Sequence, residues 1–465
     1  MIIEQLYTSC LAQGAYYIQS ENECAIIDPL REYTTYTDLA NKNNAKIKYI
    51  FETHFHADFV SGHVDLANKT GADIVFGPNA ETVFKSIIAT DGQEFTVGKL
   101  TIRLLHTPGH TLESSCFLLL SENKEPLCVF TGDTLFIGDV GRPDLAIKSN
   151  LTQEDLAGML YDSLRNKLMP LPDKVIVYPG HGAGSACGKN MSKETFDTLG
   201  NQKKVNYALA NISKESFVKE LTTGILPAPQ YFAKNAMLNK SGYDNFDKVK
   251  ENGCKSLSVE DVKLLLNSSN AIILDVRKPS EFANEHIPHS IFIGIDGQFA
   301  PWVGVLIKDL KQAIILVAPE GREQEVVTRL SRVGYDNCLG YLQGGIEEWK
   351  SKGNGIDSIH SINAVEFYEN YQTNKLEVLD VRKPGEYESS HIDGVCSKPL
   401  DFIDDWKDSL SKEKEYHIHC AGGYRSMIAA SLLKRDGFKQ LIDVAGGYAS
   451  ISKTEIKTVA VACSK

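Results

Sequence analysis

The sequence has no CxxC pair. Its ten cysteines stand singly along 465 residues, so neither a disulfide framework nor a zinc knuckle is expected. It also lacks a long apolar run. The longest stretches, such as Ala313-Ile314-Ile315-Leu316-Val317, fall far short of the roughly 20 residues that cross a bilayer, so no membrane partner is expected. Met1-Ile2-Ile3-Glu4 opens directly into a strand-like run without a basic and apolar leader, and together with the scattered cysteines this makes a reducing cytoplasm the expected compartment. Dense Lys/Arg patches are missing as well. With 49 basic against 60 acidic residues the formal net charge is -11, and no nucleic-acid partner is expected. What is present is ordinary for globular protein: 42% hydrophobic and 23% charged residues, in a chain long enough for two to four domains.

An internal repeat organises the second half. Leu274-Asp275-Val276-Arg277-Lys278-Pro279 recurs as Leu379-Asp380-Val381-Arg382-Lys383-Pro384, and the match continues through Glu281-Phe282 and Glu386-Tyr387, His286-Ile287 and His391-Ile392, to Gly344-Gly345 and Gly446-Gly447. Each copy reads as a short apolar strand, a turn, further strands and an amphipathic helix, hence a small α/β domain. Gly353-Asn354-Gly355 separates the copies. The expected domains are residues 1–250, 256–355 and 356–465.

In the first domain, four apolar strand-like runs each end in a potential metal ligand. Tyr49 to Glu52 leads into Thr53-His54-Phe55-His56-Ala57-Asp58, and Thr101 to Leu105 into Thr107-Pro108-Gly109-His110. Leu127 to Thr131 leads into Gly132-Asp133, and Val175 to Tyr178 into Pro179-Gly180-His181. In a sandwich of sheets, such runs would present their carboxyl-end loops to one cleft.

This pattern resembles the metallo-β-lactamase superfamily over about the first 250 residues. The resemblance implies an αββα sandwich, followed here by two smaller α/β domains. The superfamily's usual first motif, His-x-His-x-Asp-His, feeds two metals, but its last position here is Phe59, which cannot coordinate a cation; one metal per chain is therefore expected. Within the superfamily, similarity to persulfide dioxygenases implies one Fe(II) held by His54, His110 and Asp133. A face of two imidazoles and one carboxylate leaves positions open for a substrate thiolate and dioxygen. His56, Asp58 and His181 then become candidates that orient the ligands. The run Gly132-Asp133-Thr134-Leu135-Phe136-Ile137-Gly138-Asp139-Val140-Gly141-Arg142-Pro143-Asp144 also resembles the dioxygenases. In that run Arg142 is expected to grip a substrate carboxylate; outside it, Tyr178 is expected to add a phenolic hydrogen bond, and Cys187, in Gly184-Ser185-Ala186-Cys187-Gly188 just past His181, to lie near the cleft.

The last domain contains His419-Cys420-Ala421-Gly422-Gly423-Tyr424-Arg425-Ser426, followed by an apolar helix-like stretch. A cysteine on a glycine-rich loop at a helix start is ringed by backbone N–H groups that stabilise a thiolate or persulfide, and Arg425 adds positive charge. The segment resembles the rhodanese active-site loop, with Asp380, Arg382, Glu386 and His391 as structural companions. Aligning Gly334-Tyr335 with Gly437-Phe438 sets Val317 opposite Cys420 and Arg322 opposite Arg425. The middle copy thus has no nucleophile, Pro319 removes one N–H donor, and its expected role is to position the other domains or to complete an oligomer interface.

The combined resemblance implies a dioxygenase that oxidises a low-molecular-weight persulfide with O2 to sulfite and thiol, coupled to sulfur transfer that forms or uses thiosulfate, in a self-associating chain. The alternatives are a glyoxalase II-like thiolester hydrolase and a non-catalytic sulfur-relay scaffold.

Overall fold

A computed structural model describes residues 1–145 and 151–460. Contacts divide the chain into two compact units, Met1–Lys248 with Leu330–Gly334, and Val249–Arg329 with Tyr335–Lys465.

The first unit holds two six-stranded sheets. One runs in the order β1 (Ile2–Thr8), β2 (Gln13–Ser20), β3 (Glu23–Ile27), β4 (Lys46–Phe51), β5 (Asp73–Phe76) and β6 (Ile87–Ile88). The other comprises β7 (Glu94–Val97), β8 (Leu100–His106), β9 (Ser115–Leu120), β10 (Pro126–Gly132), β11 (Ile176–Pro179) and β12 (Asp197–Thr198), again with sequential neighbours paired. Central strands such as β9, Ser115-Cys116-Phe117-Leu118-Leu119-Leu120, are buried throughout, as a near-continuous apolar run requires when both faces are covered. Three apolar layers result. Tyr16, Ile18, Ile27 and Phe51 of the first sheet meet Ile102, Phe117, Leu119 and Phe130 of the second. The outer face of the second sheet, with Leu118 and Val129, lies under Ala157, Leu160, Phe217 and Leu221 of helices Gln153–Ser163 and Lys214–Thr222. The outer face of the first sheet, with Tyr17 and Ile26, packs on Tyr36 and Leu66 of helices Thr34–Lys42 and His63–Thr70. This is the expected αββα sandwich.

Strand polarity decides where the loops go. β8 and β10 are both antiparallel to β9, and β11 is parallel to β10, so β8, β10 and β11 all end on one side of their sheet. The loops bearing His110, Asp133 and His181 start there.

The second unit confirms the repeat at the level of topology. Its strands are β13 (Ser256–Leu257), β14 (Ile272–Asp275), β15 (Ile291–Phe292), β16 (Ile314–Val317), β17 (Cys338–Leu342), β18 (His360–Ile362), β19 (Val378–Asp380), β20 (His391–Ile392), β21 (Cys396–Ser397), β22 (Glu415–His419), β23 (Gln440–Val444) and β24 (Thr458–Val459). The two five-stranded sheets run β13-β17-β16-β14-β15 and β18-β23-β22-β19-β21, all parallel and in the same order, and β20 pairs separately with β24. Among the described residues, no helix is long and apolar enough to cross a membrane.

Register corrects one equivalence. Asp275 pairs with Val317, and its counterpart Asp380 pairs with His419. Ala318, not Val317, therefore stands where Cys420 does, and the left-handed glycines Gly321 and Gly423 fall into line three residues further on in each copy. Glu323 rather than Arg322 then faces the Arg425 position. The middle copy is one residue shorter between this loop and Gly334, so alignment on the downstream Gly-Tyr put the gap on the wrong side. The absence of a nucleophile stands.

Candidate metal centre and sulfur loop

Metal ligands have to leave their own hydrogen bonds pointing elsewhere, and His54 and His110 do so. Thr53 Oγ1 donates to Asp28 Oδ2 at 2.8 Å, so its lone pair takes the Nδ1–H of His54 at 3.0 Å. The Nδ1–H of His110 goes to the Arg142 carbonyl, an obligate acceptor, at 2.8 Å. Both rings are thereby fixed as tautomers whose Nε2 lone pair is free, which is how imidazoles are prepared for a metal. Burial, followed by the neighbouring His56, pushes the pKa of His54 well down and keeps it neutral.

Asp133 completes the cluster. Its Oδ1 accepts from His181 Nδ1 at 2.8 Å, while Oδ2 is buried with no hydrogen-bond partner among the described residues. That orphaned oxygen lies 3.9 Å from His54 Nε2 and 3.5 Å from His110 Nε2, both within the roughly 4.2 Å that two metal–ligand bonds of about 2.1 Å can span. Burial alone would raise the Asp133 carboxyl, but His181, His54 and His110 outweigh it and hold it far below the usual carboxylate range. The close approach depends on Gly180, where a Cβ would lie 2.7 Å from Asp133 Oδ1. A buried, unpaired carboxylate oxygen facing two imidazole lone pairs fits a divalent cation, the group that the fold family implies.

The remaining sequence candidates sit around this cluster. His56 turns away from it: Nε2 lies 3.1 Å from Asp28 Oδ1 and 3.6 Å from Glu52 Oε2. Phe59, fully buried, lies against the His56 ring, centroids 4.3 Å apart. Asp58, His181 and Cys187 form a second buried group, with His181 Nε2 2.8 Å from Asp58 Oδ2. Burial would lower the His181 pKa, but Asp133 and Asp58 together raise it well above the ordinary value. Burial, then Asp58 and Asp133, push the Cys187 thiol up, which keeps it protonated.

Two candidates are committed elsewhere. Arg142 donates from Nε and Nη2 to the two oxygens of Asp144 at 2.6 and 2.7 Å, and from Nη2 and Nη1 to the Leu226 and Ala186 carbonyls. Its guanidinium is neutralised inside the protein; the residue touches His110 through its backbone carbonyl. Tyr178 belongs to the aromatic layer between the sheets, stacked on Phe130 at 5.4 Å and 15°.

Sequence reasoning missed Asp28, Thr53, Glu52 and Asn239. Asp28 follows β3 in the same way that the other candidates follow their strands, at a left-handed φ of 49°, and that pattern could have flagged it. Asn239 gave no signal, because its role is long-range: its amide donates to the His56 and Phe59 carbonyls at 2.8 Å each and accepts from Ser61 N–H at 2.8 Å, clamping the ligand loop.

In the last module, β22 delivers Cys420, buried, to the start of helix Tyr424–Arg435. Gly423 N–H donates to Cys420 Sγ at 3.1 Å. Ala421 and Gly422 form the loop's outer edge, and Ser426 is buried on the helix. Arg425 makes a bidentate pair with Glu386, at 2.6 and 2.8 Å, so much of its charge is spent holding the neighbouring helix Pro384–Ser389.

A model of the metallo-beta-lactamase superfamily matches residues 10–181, and a rhodanese-like domain model matches residues 258–352 and 363–454. Glyoxylase B2 of Dictyostelium discoideum is 30% identical over 256 residues, which cover 48% of this chain and 83% of that protein. A probable hydroxyacylglutathione hydrolase, glo2, of Schizosaccharomyces pombe is 34% identical over 161 residues, covering 34% of this chain and 58% of that protein's length. The crystal structure of a metallo-beta-lactamase from Staphylococcus aureus subsp. aureus COL superposes with a TM-score of 0.65 at 29% identity, over 73% of this chain and 98% of that one.

The hydroxyl that fixes His54 gives a direct test. Thr53→Val keeps the shape and removes the acceptor, and should weaken metal binding about 10- to 100-fold in competition with a chelator. Unchanged affinity would contradict the role assigned to Thr53.

Proposed function

The chain belongs to the metallo-beta-lactamase superfamily and carries two rhodanese-like domains after that region, and from this premise we propose that it is an iron(II) persulfide dioxygenase joined to a sulfurtransferase. In the balanced reaction a thiol persulfide such as glutathione persulfide, O2 and water become the thiol, sulfite and two protons; the sulfane sulfur is oxidised and dioxygen reduced. The observation that carries this reading is the cluster of His54, His110 and Asp133, with Phe59 and the averted His56 beside it. Two imidazoles and one carboxylate suit an iron(II) ion, which when bound supplies electrons to dioxygen and a seat for the persulfide sulfur. Thr53 and the Arg142 carbonyl hold the two rings in register, and His181 holds the third ligand by its other oxygen. The Phe59 and Phe136 rings help to keep water from the buried carboxylates and imidazoles.

Cys420 serves the second activity. Its thiolate takes the sulfane sulfur of a persulfide, whose S–S bond breaks to release the thiol, and passes that sulfur to sulfite, giving thiosulfate and the free thiolate; run backwards, thiosulfate gives up its sulfur with release of sulfite and a thiol accepts it as persulfide. The Gly423 N–H on Sγ supports an anionic sulfur there.

A second reading, metal-dependent thiolester hydrolysis, is favoured by the names of the relatives and by the group Asp58, His181 and Cys187, which could hold another cation. The two readings separate in one assay. Protein loaded anaerobically with iron(II) should consume dioxygen and release sulfite on addition of glutathione persulfide; cleavage of lactoylglutathione without oxygen uptake would give the site to the hydrolase. For the second activity, Cys420→Ser should abolish thiosulfate sulfurtransferase turnover and leave persulfide-dependent oxygen uptake in place. Equal loss of both would overturn the division of labour.

A further inference from the structure

The middle repeat keeps its fold but not its cysteine, and the contacts of Tyr424 show what it contributes. Tyr424 opens the helix that follows the Cys420 loop, yet its side chain reaches into the other repeat. Its O–H donates to the Gly294 carbonyl at 2.7 Å, and its ring meets Phe292 edge-on with centroids 6.1 Å apart. A Cβ on Gly297 would lie 2.3 Å from Tyr424 Cζ, far inside any tolerable contact. Gly297 has no left-handed φ, so its backbone would accept a side chain, and the three atoms nearest to such a Cβ all belong to the Tyr424 ring. Two turns along the same helix, Ser431 Oγ accepts from Phe292 N–H at 3.0 Å. The helix is thus tied twice to one short segment of the middle repeat. On the opposite side of Tyr424, its immediate neighbour Gly423 is the residue whose N–H reaches the Cys420 sulfur.

We propose that the Cys-less repeat is the positioning half of the sulfur site: a socket formed by Phe292, Gly294 and Gly297 anchors Tyr424 and so sets the Gly423 N–H on Cys420. The rest of the loop is held from its own module, where Tyr448 N–H donates to the Cys420 carbonyl at 2.7 Å. Without the socket, Gly423, left-handed at φ 98°, would be restrained on one side only. Tyr424 is a positioning residue here, acting on the sulfur through its neighbour. The inference rests on the sulfurtransferase reading for its kinetic readout, but alkylation of Cys420 needs neither a sulfur donor nor an acceptor and decides the socket by itself.

The test uses the full chain with Tyr424→Phe, Gly297→Ala, Tyr424→Ala and the Gly297→Ala/Tyr424→Ala double variant. Iodoacetamide modification of Cys420, followed by mass spectrometry across pH, is measured beside thiosulfate-to-cyanide turnover. Tyr424→Phe should move the alkylation profile to higher pH and lower kcat about fivefold, and Gly297→Ala should lower it about tenfold, with KM little changed. In the Tyr424→Ala background, Gly297→Ala should add nothing, because the ring it collides with is gone. The proposal is overturned if the single variants leave the alkylation profile unchanged, including the case in which only their melting temperature falls. It is equally overturned if Gly297→Ala is as damaging without the ring as with it.

Discussion

The first unit is organised around an unpaired oxygen. Asp133 Oδ2 is buried and faces two imidazole lone pairs, an arrangement that costs several kcal/mol unless a cation completes it. Three strands of one sheet end on the same side because β8, β10 and β11 share a direction, and the other sheet brings His54 to meet them. The surrounding hydrogen bonds serve the same end. Thr53 and the Arg142 carbonyl take the protons of the two rings on the side away from the cluster, and His181 takes the second oxygen of the carboxylate. Remove any one and a ligand gains freedom to rotate out of the site.

The proposed one-metal reading rests on one corner of the site. A phenylalanine occupies the position at which the superfamily motif has its last histidine, and the preceding histidine of the motif is drawn off by Asp28 and Glu52. Burial and the charge of Asp28 raise the Glu52 carboxyl well above its ordinary range. The second unit tells a parallel story of partial loss. One copy of the duplicated fold carries Cys420 at the end of its strand, and the other contacts the helix that follows that cysteine through Phe292 and Gly294.

Much of this was legible in the sequence. Strand ends bearing His54, His110, Asp133 and His181 could be read because short apolar runs and their terminal polar residues are local features. The duplicated fold was legible through Leu-Asp-Val-Arg-Lys-Pro. The commitments of Arg142 and Tyr178 were not, since they depend on Asp144 and the Leu226 carbonyl in one case and on Phe130 across a sheet in the other. Nor were Asn239, which lies about 180 residues from the loop it clamps, or the Tyr424 socket, whose lining residue Gly297 looks like any loop glycine. The misplacement of Val317 opposite Cys420 has the same origin: a one-residue gap cannot be located without the strand register.

The central claim is one iron held by three side chains. Anomalous diffraction recorded at the iron edge from crystals grown without oxygen tests it most directly. The account predicts a single peak within bonding distance of His54 Nε2, His110 Nε2 and Asp133 Oδ2. A second metal peak of comparable height between Asp58, His181 and Cys187, or a zinc signal in place of iron, would contradict it.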